Sequence, residues 1–381
     1  MNESIERIEL NCNSLINCGV TTGLALTVGN EKVANTINKG YCEDDKLHLV
    51  KPHTVFDLAS LTKLFLSLSY FIAQKYQKIN FSQPLSFFCA DKFPKIKNIT
   101  LDDLFHFNCF LTTEKRITEC NFEKAKKQVL NIDANPFDAP KYSDMSSIVL
   151  GIVFSDIFGI EFGNFVNSEI IKRLKLKNTF WGKRSVDESN SYMNYDSEMV
   201  INNGILTVYP QKPLVVNDRK AEILSDNGKY LCGNAGLFST AEDMEKICLS
   251  ILSRELISDD ALKTIGTKAN CAFEQRFGYL SYTKSPNKHL SEVSHLMSDL
   301  AFAISGFTGT YLMIDPVKNC YLFIGGNRLN NRITFVDDEK LIVSPTRVMF
   351  EGKEYYYTKN YVYMKDELRN RCCKYLLDQS N

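Results

Sequence analysis

The sequence has no block of basic residues and no arginine-rich stripe, and its 45 Lys+Arg balance 45 Asp+Glu to a formal net charge of zero. Without a positive field it offers little to a nucleic acid or an anionic membrane surface, so no nucleic-acid partner is expected. No apolar run approaches the ~18 residues needed to cross a bilayer, so no membrane span is expected either. The segment Met1-Asn2-Glu3-Ser4-Ile5-Glu6-Arg7 lacks the basic-then-apolar order of a secretory leader, and a cytoplasmic location is expected. The twelve cysteines make no CxxC pair and no Cys/His cluster with zinc spacing. They are expected to be reduced thiols, used as small buried hydrophobes, with no metal site. Internal repeats and low-complexity segments are absent.

What the chain does have is material for a large core: 381 residues, 44% hydrophobic and 12% aromatic. Ile5, Ile8, Cys12 and Leu15 recur at helical spacing and predict an N-terminal amphipathic helix. Gly23–Val28, a turn at Gly29–Lys32 and Val33–Ile37 predict a β-hairpin. Thr54–Leu58 looks extended and leads into a helix-like apolar run, Leu64–Tyr76. Residues 80–243 are irregular, with short helices and many turn residues. Thr100-Leu101-Asp102-Asp103 and Ser239-Thr240-Ala241-Glu242 look like capping boxes, the second opening an amphipathic stripe at Met244, Ile247, Cys248, Ile251 and Leu252. Thr310–Ile314 and Cys320–Gly325 read as strands, residues 332–363 as extra β structure, and about Lys365–Leu377 as a last helix, with Leu368, Cys372 and Leu376 on one face. Strands at both ends around a helical middle predict an α/β fold of the α+β type. One antiparallel sheet, drawn from residues 1–79 and 244–381, is flanked by helices, and residues 80–243 form a mainly helical insertion as the other wall of a cleft.

Ser60-Leu61-Thr62-Lys63 stands at the start of that first apolar run. A serine and a lysine at i and i+3 project from one helix face, a turn apart. The first turn also supplies free N–H groups and a positive helix end for developing negative charge. A lysine deprived of its proton there could activate the serine, which requires burial to lower its pKa from about 10.4. The tetrad alone reads equally well as an ordinary serine N-cap. Ser-x-x-Lys also occurs at Ser281/Lys284 and Ser285/Lys288, in a polar, Pro-containing stretch that reads as loop.

Three more segments join the tetrad in order: Tyr142-Ser143-Asp144 before an apolar run, Gly233-Asn234-Ala235-Gly236, and Ser305-Gly306-Phe307-Thr308-Gly309-Thr310 next to a predicted strand. Singly, Tyr142 reads as a core tyrosine and the glycine segments as turns. Together with Asn327-Arg328 the set resembles the serine β-lactamase/transpeptidase-like superfamily, closest to its class C β-lactamase and esterase branch, from about Val20 to Arg328. The resemblance implies that Ser60 is the acylated nucleophile, Lys63 the general base and Tyr142 its proton-shuttling partner. It places Asp144 at a position where Asn is also common, an oxyanion hole at the backbone N–H groups of Ser60 and Phe307, and substrate-binding positions at Asp144, Asn234, Ile304, Ser305 and Gly306.

The departures from the pattern carry information too. Ile304 stands where the superfamily usually has Lys or His. Asn217 and Asn234 stand where His is frequent, and Phe107-Asn108-Cys109-Phe110 replaces a His-Thr-Ser-Gly segment. His48, His53, His106, His289 and His295 all fall outside the motifs, so a Ser-His-Asp arrangement has no support. Ile304 removes the cation that would recognise a substrate carboxylate, and is expected to make the pocket apolar there. The expectation is a serine hydrolase or acyltransferase acting on a small-molecule ester, thioester or amide through a Ser60 acyl-enzyme, with no cofactor. Two other readings remain, a D-amino-acid peptidase, amidase or β-lactamase, and a catalytically inactive binding protein of the same fold.

Overall fold

The computed structural model of the chain describes residues 3–379 apart from 18–20, 43–45, 90, 136–138, 183–191, 194–197, 203–204, 210–217, 227–228, 231, 270, 289–290, 328–345, 351–352 and 358–359. Its centre is a six-stranded antiparallel sheet in the order Tyr282–Thr283, Phe302–Ser305, Tyr311–Asp315, Cys320–Gly326, Gly23–Asn30, Ala34–Gly40. The N-terminal strand pairs with Cys320–Gly326 from Leu24 opposite Gly326 to Asn30 opposite Cys320. The sheet therefore joins the two ends of the chain.

Alternation along the strands divides the core in two. Leu24, Leu26, Val28, Met313, Leu322 and Ile324 face a cluster with Ile8, Cys12 and Leu15 of the Glu3–Asn17 helix and Leu368, Cys372 and Leu376 of the Asn360–Asp378 helix. Ala25, Ile304, Leu312, Ile314 and Phe323 face the other way, into a larger cluster with Ile247 and Ile251 of the Ala241–Leu252 helix and the aromatic-rich residues between the sheet strands. Every cysteine among the described residues is a free thiol.

Above that second face, Val55–Asp57 pairs with Leu237–Thr240, which pairs in turn with Phe180–Trp181. Phe56 lies flat on the main sheet at Gly325, where a Cβ would come within 2.8 Å of its ring. From this strand the chain enters a 3₁₀ turn, Ala59–Leu61, and then the Thr62–Ala73 helix. That helix is buried at every position but Phe71, as expected of an apolar helix inside a large core rather than on its surface. It packs against the Asp144–Phe158 helix, which Ser143 caps and Gly159 ends in the left-handed conformation at φ 67°.

Several local expectations shift. The first helix stops at Ala73, short of Tyr76. The box at Ser239 is displaced by one residue: Thr240 is the N-cap, accepting from the N–H of Asp243. The Asp243 carboxylate is drawn instead to Asn178 N–H at 2.7 Å and the Thr179 hydroxyl at 3.1 Å. A buried carboxylate takes the donors that reach it, and here those come from the neighbouring loop. At Thr100 the full box forms with Asp103. The stretch 281–288, read as loop, contains the edge strand Tyr282–Thr283. The last helix begins earlier, at Asn360. In the expected extra segment Thr346–Phe350 and Lys353–Tyr357 pair as an antiparallel hairpin. Asn217 and Arg328 lie outside the described residues.

Candidate active site

The turn before Ser60 is built to present that side chain. Ala59 sits at φ 46°, a left-handed conformation that costs a residue with a Cβ about 1–3 kcal/mol. The buried Asp57 carboxylate offsets part of this cost by accepting the Ala59 N–H at 2.8 Å. Ser60 caps no helix: neither the 3₁₀ turn nor the helix after it has a side-chain cap. Its Oγ accepts hydrogen bonds from Lys63 Nζ at 3.1 Å and from Tyr142 Oη at 2.8 Å. The two other tetrads show nothing comparable. Ser281 donates to the carbonyl of Ile265, Ser285 to that of Glu274, and Lys284 to that of Met297.

Lys63 is fully buried and spends its donors on three acceptors: Ser60 Oγ, Asp144 Oδ1 at 2.8 Å and the carbonyl of Asn234 at 3.2 Å. That fills the capacity of an ammonium group. Tyr142 and Asp144 flank Ser143, the N-cap of a core helix, so one short segment aims both side chains at Lys63. The Tyr142 ring lies 4.9 Å from the Lys63 nitrogen and stacks on Tyr282 at 5.5 Å, with an interplanar angle of 7°. Burial pushes the Tyr142 hydroxyl well above its ordinary pKa, and the Asp144 charge adds to this.

Asp144 holds two lysines. Its Oδ1 accepts from Lys63 and its Oδ2 from Lys220 at 2.7 Å. Burial alone would raise the Asp144 carboxyl, but the two ammonium groups prevail and keep it well below the usual carboxylate range. For Lys220 burial works downward, and the carboxylates of Asp144 and Asp218 outweigh it and raise its pKa. Asp218 caps the short Arg219–Ile223 helix that carries Lys220 and accepts the Asn234 side-chain amide at 3.0 Å.

The loop after the Phe302–Ser305 strand is pinned against the Ser60 turn. Thr308 Oγ1 donates to the carbonyl of Asp57 at 2.7 Å and Thr310 Oγ1 to that of Leu58 at 3.0 Å. Gly306 fits here because a Cβ would lie 2.0 Å from Thr310 Oγ1 and 2.9 Å from the Leu58 carbonyl oxygen. Among the described residues the Phe307 N–H finds no acceptor. Ser305 donates to Glu292 at 2.6 Å, and Glu292 is also paired with Arg369 of the last helix at 2.8 Å. Ile304, expected to shape an apolar pocket wall, is 1% exposed and packed into the larger core cluster between the sheet and the Ser60 segment. A cation does stand near this strand, then, but it comes from residue 369 and meets a carboxylate of the same chain.

Ser60, Lys63, Tyr142, Asp144 and Asn234 are thus in one hydrogen-bonded group, with Ser305 at the end of the adjoining strand and Gly306 and Phe307 in the loop that follows it. Sequence reasoning missed Lys220, Tyr282, Glu292 and Arg369. Only Tyr282 had a usable local signal, since Tyr282 and Thr283 are of the aromatic and β-branched types that favour strands.

A model of the Beta-lactamase family matches residues 17–343. The chain belongs to the Beta-lactamase family. It is 25% identical over 312 residues, 72% of this chain and 70% of the other, to a Salmonella heidelberg (strain SL476) protein provisionally named as a D-alanyl-D-alanine carboxypeptidase. It is 22% identical over 334 residues, 80% of this chain and 74% of the other, to a Bacillus subtilis (strain 168) protein named N-acetylmuramyl-L-alanine amidase. Its fold resembles the solved structure of EstCE1, described as a hydrolase with promiscuous acyltransferase activity, at a TM-score of 0.68 and 14% identity, covering 96% of this chain and 98% of that one. This Beta-lactamase family member therefore shares the fold of a superfamily of serine hydrolases that includes esterases and peptidases. The antiparallel sheet with flanking helices is the fold expected of it.

Proposed function

We propose that this protein is a serine hydrolase or acyltransferase that works through an acyl-enzyme on Ser60. The observation that carries this reading is that Ser60 Oγ serves no cap and instead lies within hydrogen-bond reach of Lys63 and Tyr142 together. When that pair is short of one proton, it takes the proton of the Ser60 hydroxyl as Oγ attacks the carbonyl of an ester, thioester or amide. The tetrahedral oxyanion is received by the N–H groups of Ser60 and Phe307. Collapse breaks the bond to the leaving group, which takes the proton back from the pair, and water or an acceptor alcohol or amine then releases the acyl group. None of these steps calls on a cofactor. The test is intact-mass analysis after exposure to a fluorophosphonate: one adduct per chain is expected, and an unlabelled active-site serine would overturn the reading.

The Ser305–Glu292–Arg369 arrangement supports a neutral acyl substrate. A hydroxyl and a guanidinium near the site would suit a substrate carboxylate, but an internal carboxylate already engages both. Displacing it would break the Glu292–Arg369 ion pair and the Ser305 hydrogen bond in a partly buried position. The names of the two sequence relatives favour the peptidase or amidase alternative, so substrate preference is the discriminating measurement. A neutral p-nitrophenyl ester is expected to give a clearly higher kcat/KM than the carboxylate-bearing cephalosporin nitrocefin; the reverse order would favour the alternative.

The oxyanion assignment has its own test. Gly306→Ala forces the loop to move away from Thr310 and Leu58, carrying the Phe307 N–H with it. Turnover is expected to fall by about 10²–10³-fold, as for a lost oxyanion donor, in a protein whose melting curve remains cooperative. Unchanged turnover would remove Phe307 from the mechanism.

A further inference from the structure

The Asp144 carboxylate poses a problem for any mechanism in which the Lys63/Tyr142 pair must accept a proton. A carboxylate lies 2.8 Å from Lys63 Nζ, and its negative charge disfavours a phenolate on Tyr142. By itself it would oppose the loss of a proton from the pair. Lys220 occupies the other oxygen of this carboxylate at 2.7 Å. It arrives from a separate helix, and no motif of the sequence pointed to it.

We propose that Lys220 is a positioning residue for proton transfer at Ser60: by holding Oδ2 of Asp144, it keeps that carboxylate from locking the Lys63/Tyr142 pair in its fully protonated state. Asp144 and Lys220 together act on the pair much as one neutral hydrogen-bonding group would. Two features of the geometry support this. Each oxygen of Asp144 has its own lysine, so the carboxylate is shared between them. Lys220 is also anchored on its far side, 3.9 Å from Asp218, which in turn holds the Asn234 amide beside Lys63. The other titratable groups packed around the pair do not supply such a counter-charge. Tyr282 and Cys232 are both pushed up by burial and remain neutral, while the charge of Asp218 acts on Tyr142 in the same direction as that of Asp144.

The inference rests on the acyl-enzyme reading, and the experiment separates the two. The rate of fluorophosphonate labelling at Ser60 is measured against pH for the full chain and four variants. With the wild type labelled, Lys220→Met is expected to slow labelling at pH 7 by about ten- to a hundredfold, less than the 10²–10⁴ of a lost proton carrier. Its rate should recover toward alkaline pH, because the pair then needs a higher pH to lose its proton. Lys220→Arg should stay near the wild type. Asp144→Asn should move the profile toward acid pH, since the pair then faces Lys220 without the carboxylate. The double variant Asp144→Asn/Lys220→Met should regain most of the rate lost in Lys220→Met, together with its pH profile.

A double variant as slow as Lys220→Met, or a Lys220→Met profile that keeps the wild-type shape, would overturn the role of Lys220 and leave the acyl-enzyme intact. A wild type that is not labelled would remove both. Should Lys220→Met fail to fold, the opposed shift in Asp144→Asn and the profile of the double variant still decide the matter.

Discussion

Ser60→Ala is expected to abolish covalent labelling by a fluorophosphonate and to reduce ester turnover to the background of the assay, with the fold intact. Among the described residues Ser60 Oγ makes no hydrogen bond to the backbone and caps no helix, so its removal costs the fold little. The competing tetrads are the internal control. Ser281 and Ser285 are buried and bonded to backbone carbonyls, so neither is free to attack. Peptide mapping after digestion checks this directly. An adduct on Ser281 or Ser285, or normal labelling of the Ser60→Ala protein, would sink the assignment.

Lys63→Ala and Tyr142→Phe should each lower kcat by about 10²–10⁴-fold, the usual contribution of a positioned proton carrier, while changing KM far less. Tyr142→Phe is the gentler probe. It keeps the ring stacked on Tyr282 and beside Phe107, and deletes only the hydroxyl that reaches Ser60. Lys63→Ala removes a buried cation and leaves Asp144 with Lys220 alone, so a melting curve must accompany its kinetics. The pH dependence has a definite sign. Burial and Asp144 both hold the proton on Tyr142, so the proton-poor form of the pair becomes more populated as pH rises, and kcat/KM should climb from neutral to alkaline pH. Steady-state kinetics with a p-nitrophenyl ester test all three expectations. Near wild-type turnover in either variant would rule out the Ser/Lys/Tyr mechanism for this chain.

Features that depend on residues within a turn or two of one another are legible in the sequence. The one-turn spacing of Ser60 and Lys63, the stripe of Ile8, Cys12 and Leu15, the box at Thr100, the hairpin at Gly23–Ile37 and the strands at Thr310–Ile314 and Cys320–Gly325 all follow from local helix and strand patterns. Where such expectations missed, a tertiary partner had intervened. Asp243 has the right spacing for a cap but is claimed by Asn178 and Thr179, and the polar stretch after Ser281 becomes an edge strand because Phe302–Ser305 offers it a partner.

The candidate site divides along the same line. Ser60 and Lys63 could be picked from the sequence by their one-turn spacing, whereas Tyr142, Asp144 and the Gly306–Phe307 turn stood out only through the resemblance of the ordered set of motifs to a known superfamily. Whether Ser60 is a cap or a reactive hydroxyl could not be decided there, since serine at a helix start serves both uses, and only the positions of Lys63 and Tyr142 around its Oγ separate them. Lys220 reaches Asp144 across 76 residues of chain, and Arg369 reaches Ser305 across 64. No spacing encodes such contacts. They depend on how separately folded elements pack, and so does the charge balance around Ser60: from its composition the chain is merely neutral overall, while the packed structure sets two lysines on one half-buried carboxylate.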